Sequence, residues 1–487
     1  MYFCTLKGAH NSQKSLWKSI KKKIFRLFRK IDLFSISLIV ILTAVLAMVF
    51  FPYFDLSSDV EELSILQKYS YDLDEELFLK SVIPLLDEKR FILLGEATHG
   101  TQEFYEWRSI LTKELIENGI IDFVAVEGDW DALFRVNRYV KGLDRDDDVN
   151  ADQILSSFDR WPEWMWANEV FLDLIEWIRE YNMEKELSER IGVYGVDVYG
   201  AANSFRELMS FVFRNEETLS QEIIDSGNSL FSCFSFFDYD FHNYASDVTP
   251  DLSCEDESKL FSDLILNRDL TKFDDSRLDD SRLENDEFVF DFLNAQIGSI
   301  IVKNAESHFR LMRDGGARSW NARAGSFAET MIELSSFYDD GVGVLWAHNT
   351  HVGDARYTSM VNSGSINVGQ VLRENNEDEV FILGFGTYTG KVIAGTEWGS
   401  SPVVMEIPTS PSRSYEALFV SEGLEDLFFI FDRYPELDEI LSDENRQRAI
   451  GVVYNPFFDN SRNQVDTILN RRYDAFIFIK ETSALMI

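Results

Sequence analysis

Leu93-Leu94-Gly95-Glu96-Ala97-Thr98-His99-Gly100-Thr101 joins an apolar run to a turn that carries a carboxylate and an imidazole three residues apart. Residues 91–94 have the length and character of a buried strand. The chain has only six histidines, and two more of them, His348 and His351, follow a second apolar run at 342–347. Open α/β sheets place their chemistry at the carboxyl ends of strands. Half of the scarce imidazoles fall there, which points to an enzyme and to a hydrolase in particular.

Working outward, further β-rich runs lie at 123–126, 191–196, 380–384, 449–454 and 475–479, separated by longer helical patterns. Strands alternating with helices predict an α/β fold, with a mainly parallel central sheet flanked by helices and extra helical elements. Residues 160–182 read as a packed helix whose start, with Trp161, Trp164 and Trp166, could wall a cleft. Residues 201–298 read as an acidic helical insertion in a hydrolase domain spanning 86–487. Within it, 274–278 and 279–283 form a short acidic tandem repeat, read as a solvated loop. The repeat lacks the ligand spacing and central glycine of a calcium loop. A long helical segment at about 300–336 is broken near Gly315-Gly316.

The net charge is −38, and the asymmetry is strong. Residues 1–54 carry +8 and the remainder −46. So acidic a body is a poor partner for nucleic acid. Its shortage of lysine fits either a salty environment or an acidic surface kept for solubility. Residues 33–54 contain no charged side chain, which is long enough for a transmembrane anchor. The basic segment 1–32 ahead of it would stay cytoplasmic, placing the catalytic domain outside the cytoplasmic membrane. A cleaved signal peptide is the rival reading. Residues 55–85 read as a linker and first helix. Cys233 and Cys254 could pair if that region is extracytoplasmic.

Several strand runs end in a polar residue: Glu96, Glu127, Asp197 and His348. If a helix follows Gly95, Glu96 and His99 share a face. A carboxylate beside an imidazole raises its basicity and fixes its tautomer. Such a histidine can take a proton from water and deliver hydroxide to a carbonyl. Arg108 could hold an anion nearby. If the second strand neighbours the first, Glu127 approaches His99. The catalytic candidates are therefore His99, Glu96, Glu127, His348 and Arg108; the substrate-binding candidates are His351, Trp130, Trp166, Asn321 and Arg323. No cofactor is expected, although the same ligand types suit zinc, manganese or iron. No phosphate-binding loop and no Gly-x-Ser-x-Gly elbow occurs.

At these residues the chain resembles the erythromycin esterase family. The matching stretches are 95–101, Glu127-Gly128-Asp129, 164–169, Ser319-Trp320-Asn321, 347–351, 367–370 and 384–388, in the right order and covering roughly residues 85–480. The resemblance implies an α/β hydrolase with extra helices around a deep cleft, acting on macrolide lactones or other esters. It implies His99 as general base, assisted by Glu96, Glu127, Arg108 and His348, without a covalent acyl-enzyme. The chain departs from the pattern in its N-terminal anchor, its acidic insertion and Ala324, which stands where the family usually has a carboxylate after arginine. The expected activity is ester or macrolactone hydrolysis on a small-molecule substrate. The alternatives are a metal-dependent hydrolase using the same residues, or a non-catalytic protein that binds surface polysaccharide.

Overall fold

Most of the apolar runs lie side by side in one sheet. The structure, a computed structural model, describes residues 65–143, 149–267 and 282–487, with 282–287 as backbone only. Its strands are β1 (Tyr71–Asp72), β2 (Phe91–Leu94), β3 (Phe123–Asp129), β4 (Gly192–Asp197), β5 (Gly343–Trp346), β6 (Val380–Ala394), β7 (Val403–Ile407), β8 (Leu427–Ile430), β9 (Asn445–Arg448), β10 (Gln464–Thr467) and β11 (Ala475–Thr482). Six of them run parallel in the order β11-β6-β2-β5-β3-β4. β8, β1 and β7 extend the sheet with antiparallel pairings, and β9 and β10 form a separate ribbon.

The principal helices are α1 (Glu75–Val82), α2 (Gln102–Glu117), α3 (Trp130–Val140), α4 (Glu169–Met183), α5 (Ala201–Arg214), α6 (Gln221–Ser235), α7 (Phe241–Asp247), α8 (Glu255–Leu266), α9 (Arg282–Leu311), α10 (Ala317–Phe337), α11 (Asn349–Val352) and α12 (Val368–Asn375). Alternate strand residues face opposite sides. Ile92, Leu94, Val124, Val126 and Trp346 pack under α2 and α4, while Leu93, Phe123, Ala125 and Leu345 pack under α9 and α10. Burial on both faces explains why these strands read as continuous apolar runs rather than alternating ones.

Helices α5 to α8 gather a core of their own against α9, and Cys233 is joined to Cys254 by a disulfide there, with Cα atoms 5.8 Å apart. Closing a loop of this length stabilises a fold by about 3 kcal/mol. Most of the acidic repeat at 274–283 lies outside the described residues. Gly315 and Gly316 break α9 from α10 with φ of 65° and 74°, a conformation that β-carbons disfavour.

The structure corrects three readings of the sequence. Residues 449–454 are not a strand: they cross the carboxyl ends of the sheet, with Ile450 N donating to Ala97 O and Gly395 N donating to Val452 O. The helix expected at 160–182 begins only at Glu169, where Asn168 caps it by accepting from Phe171 N; 160–168 form a loop with one short 3-10 turn at Glu163–Met165. The membrane placement is also corrected. Among the described residues no helix is long and apolar enough to cross a membrane, and residues 33–54 lie outside them. Neither anchoring nor an extracytoplasmic location is therefore supported.

Candidate active site

Strands β2, β5, β3 and β4 are consecutive in the sheet, and each delivers a polar side chain at or just beyond its carboxyl end. The sequence left open whether β2 and β3 are neighbours. In the structure β5 lies between them, so His348 arrives between His99 and Glu127.

After β2 the chain makes a tight turn. Gly95 N donates to Leu383 O at 2.8 Å, and a β-carbon on Gly100 would stand 1.9 Å from Ile393 O. That neighbour is backbone and cannot rotate away. Gly100→Ala is therefore expected to destabilise the fold by about 1–3 kcal/mol, read as a lower Tm; an unchanged Tm would contradict this approach. The turn points His99 Nδ1 at Glu96 Oε1, 2.7 Å away. The other Glu96 oxygen accepts from Arg108 Nη2 at 2.7 Å. Arg108 is fully buried between the rings of Tyr105 and Trp346, which locks the carboxylate in place. A carboxylate fastened this way keeps the His99 proton on Nδ1 and leaves Nε2 as a lone pair.

His348 has the opposite tautomer. Its Nδ1 accepts from Thr350 N at 3.2 Å and lies 2.8 Å from Thr350 Oγ1, so its proton sits on Nε2. That nitrogen is buried, and a backbone hydrogen bond with Ala97 acts on the ring against the effect of burial. The two imidazole rings lie 4.8 Å apart. The two neutral rings thus hold opposite nitrogens protonated, and both residues line one cavity.

Glu127 joins the set from β3, where the register with β4 slips between Val126 and Asp129. Its Oε2 accepts from His348 N at 2.9 Å and its Oε1 from Arg323 Nη2 at 2.8 Å. Arg323 also grips Asp197 at the end of β4, with Nε–Oδ1 at 2.9 Å and Nη2–Oδ2 at 2.6 Å. Its Nη1 lies 2.9 Å from His351 Nε2. The same nitrogen lies 3.2 Å from Glu127 Oε1, so it accepts from Arg323 or donates to Glu127 according to its tautomer. Ala324 removes no partner from this arginine, whose carboxylates arrive from two strands.

Electrostatics follow from this wiring. Burial lowers the His99 pKa, but the Glu96 hydrogen bond and the charges of Glu127 and Glu96 outweigh it, leaving the imidazole more basic than usual. Burial holds His348 well below its ordinary value, so it stays neutral. Burial opposes charge on Glu127 and Asp197 too. His351, His99 and Arg323 hold Glu127 well below the usual carboxylate range, and Arg323 holds Asp197 below it.

These groups open onto a cavity of about 430 Å³ lined in part by His99, Glu127, His348, His351, Arg323 and Trp166. Glu96 and Arg108 stand behind His99, outside the lining. Two expected substrate contacts are elsewhere. Trp130 is buried against Tyr194 and donates to Asn294 Oδ1, because its helix turns it into the core. Asn321 staples a turn by bonding Gly364 O and Ile366 N; its neighbour Trp320 enters the cavity instead, stacked 4.5 Å from His351. Several lining residues were not singled out from the sequence as contacts: Asp129 with its partner Arg160, Tyr199, and the crossing segment around Gly451 and Val452. Tyr199 follows the strand-end Asp197 by two residues, a signal that was available. Pairing across 31 residues, as in Asp129–Arg160, was not.

Among the described residues no group of three or more His, Cys, Asp or Glu is arranged to hold a metal ion. The cation that bridges Glu127 and Asp197 is Arg323 itself.

Relatives share this frame. The erythromycin esterase type II of Escherichia coli is 22% identical over 368 residues, 73% of this chain and 84% of that protein. A succinoglycan biosynthesis protein superposes with a TM-score of 0.68 at 16% identity, covering 88% of this chain and 99% of its own. A Bacillus cereus protein gives 0.67 at 18% identity, with coverages of 88% and 99%. A mutant of the erythromycin esterase EreC in its open conformation gives 0.58 at 16% identity, with coverages of 84% and 95%. These structural likenesses establish a mixed α/β fold with a central sheet and many helices. The erythromycin esterase family model matches residues 116–482, a span that includes Glu127, Asp197, Arg323, His348 and His351 but not Glu96, His99 or Arg108. The chain belongs to the erythromycin esterase family, which points to a hydrolase of ester bonds.

Proposed function

We propose that this protein hydrolyses a carboxylic ester or lactone of a small molecule by direct attack of water, with His99 as general base. The observation that carries the reading is the pair of opposed tautomers, a lone pair on His99 Nε2 and a proton on His348 Nε2, in rings 4.8 Å apart.

His99 Nε2 takes a proton from water as the oxygen bonds to the carbonyl carbon. The carbonyl π electrons move to oxygen, and the His348 Nε2–H donates to the oxyanion. The imidazolium formed on His99 is balanced by Glu96 and Glu127. When the tetrahedral intermediate collapses, the C–O bond to the alcohol breaks and the His99 proton passes to the leaving oxygen. Acid and alcohol leave, and the protein is unchanged. Arg323 positions Glu127 and His351 while Trp320 and Trp166 shape the wall.

A base must be neutral to act, so kcat/KM is expected to fall as pH drops through the raised His99 value. Glu96→Gln removes the main support for that value. Its acidic limb should therefore move to lower pH, alongside a loss of rate. A pH–rate profile on any turned-over ester reads both, and a limb that stays in place in the variant would contradict the Glu96 role. The broader test is a panel of esters and lactones with purified protein. Hydrolysis of at least one supports the reading; no turnover across the panel counts against it.

A further inference from the structure

Trp398, Val403, Val404, Val453 and Phe457 are exposed apolar side chains, with Val403 and Val404 on opposite faces of β7. Gly395 pairs with Val453, and Tyr454 N donates to Gly395 O at 2.9 Å. Ala394 on β6 pairs with Val403, which starts β7. The five side chains therefore come from adjoining segments. Trp398 is 65% exposed and Phe457 is 87% exposed. Single exposed apolar residues are ordinary, whereas a contiguous group marks a contact surface.

Trp398 links this region to the active-site cavity. Trp398 lines the cavity as well as the surface, and so does Val452, the neighbour of Val453. The Trp398 ring lies 4.7 Å from the Trp161 ring, and Trp161 Nε1 donates to Ser400 O at 2.9 Å. The lip is thus tied to the 160–168 loop, which supplies Arg160, Pro162 and Trp166 to the cavity wall. The cavity of about 430 Å³ is toward the small end for sites that enclose a whole drug-sized ligand, roughly 300–1,000 Å³. Charged and imidazole groups crowd its interior around His99. A reacting ester group fits there; a long hydrocarbon arm attached to it would have to leave by the lip.

We infer that the lip from Trp398 to Phe457 binds the apolar arm of the substrate, a hydrocarbon chain or ring attached to the ester that the cavity cleaves. This rests on the reading under Proposed function and narrows it to esters with an apolar arm longer than the cavity. Burying a methylene fully is worth about 4-fold in affinity, so half-burial on an open lip gives about 2-fold each.

The test uses 4-nitrophenyl esters from acetate to decanoate. In the wild type kcat/KM is expected to rise with chain length beyond the short acids. Trp398→Ser and Phe457→Ser, both at exposed positions, are expected to lower the decanoate-to-acetate ratio by about 10-fold, mainly through KM. Ratios equal to the wild type in both variants would overturn the inference. If no ester is turned over, calorimetry with non-hydrolysable 4-nitrophenyl decyl ether tests the lip alone. Tighter binding to the wild type than to Phe457→Ser supports it, and equal binding overturns it. Loss of a dimer in Phe457→Ser with an unchanged ratio would assign the patch to a second copy of the chain and also overturn it.

Discussion

Replacing His99 with asparagine is expected to lower kcat/KM for any ester the protein cleaves by roughly 100- to 10,000-fold, the range for a positioned general base. Asparagine keeps a hydrogen-bonding side chain against Glu96, so the turn after β2 should survive. Circular dichroism and Tm close to the wild type would show that it has. The loss should fall in kcat, because His99 acts on water rather than on binding. Imidazole added to solution should restore part of the rate if the missing group is a base. A variant that keeps full turnover would remove His99 from the chemistry. Saturable polysaccharide binding by a wild type that cleaves no ester would favour the non-catalytic alternative.

The second large effect is on stability. Arg323→Met is expected to cost about 3–5 kcal/mol, the cost of breaking a buried ion pair. The guanidinium is the cation shared by Glu127 and Asp197, and both carboxylates are buried. Without it they are left charged and under-paired in a site where solvation is poor. In the wild type both groups have lowered pKa values when folded. The stability they contribute is present above the ordinary carboxylate range and disappears only as pH falls through the lowered values. In the variant those values rise toward or above the unfolded range, so acid no longer removes this stability and the deficit relative to the wild type narrows as pH falls. Urea unfolding at pH 7 and at pH 5 reads both changes. A variant as stable as the wild type at both pH values would contradict the role of Arg323 as the clamp between β3 and β4. Arg323→Lys should recover only part of the loss, since an ammonium cannot make the paired contact to Asp197.

How much of this was legible depends on distance along the chain. Glu96, His99 and Arg108 are close in sequence, and one strand followed by one helix suffices to bring them together. The doubly buried strands were visible as apolar runs because both of their faces need apolar side chains. β8 was missed because a five-residue run between Asp426 and Asp432 carries no periodicity that separates strand from helix. Residues 449–454 looked like a strand because a segment crossing the carboxyl ends of the sheet is apolar too, with Ile450 and Tyr454 buried. The placement of β5 between β2 and β3 could not be read locally, since strand order is set by packing of α2, α9 and α10. Trp130 and Asn321 illustrate a further limit: adjacency to a site residue in sequence fixes neither side of a helix. Trp130 turns into the core, and Trp320, not Asn321, faces the cavity.

The central claim is that Glu96 holds the His99 proton on Nδ1 and raises its pKa, leaving Nε2 as the base. Nitrogen-15 NMR of labelled histidine, titrated beside the pH–rate profile, tests it most directly. The account predicts an Nδ1-protonated neutral His99 that titrates above the ordinary imidazole value of about 6.5, coincident with the acidic limb of kcat/KM. A His99 protonated on Nε2 when neutral, or titrating at or below that value and apart from the limb, would contradict it.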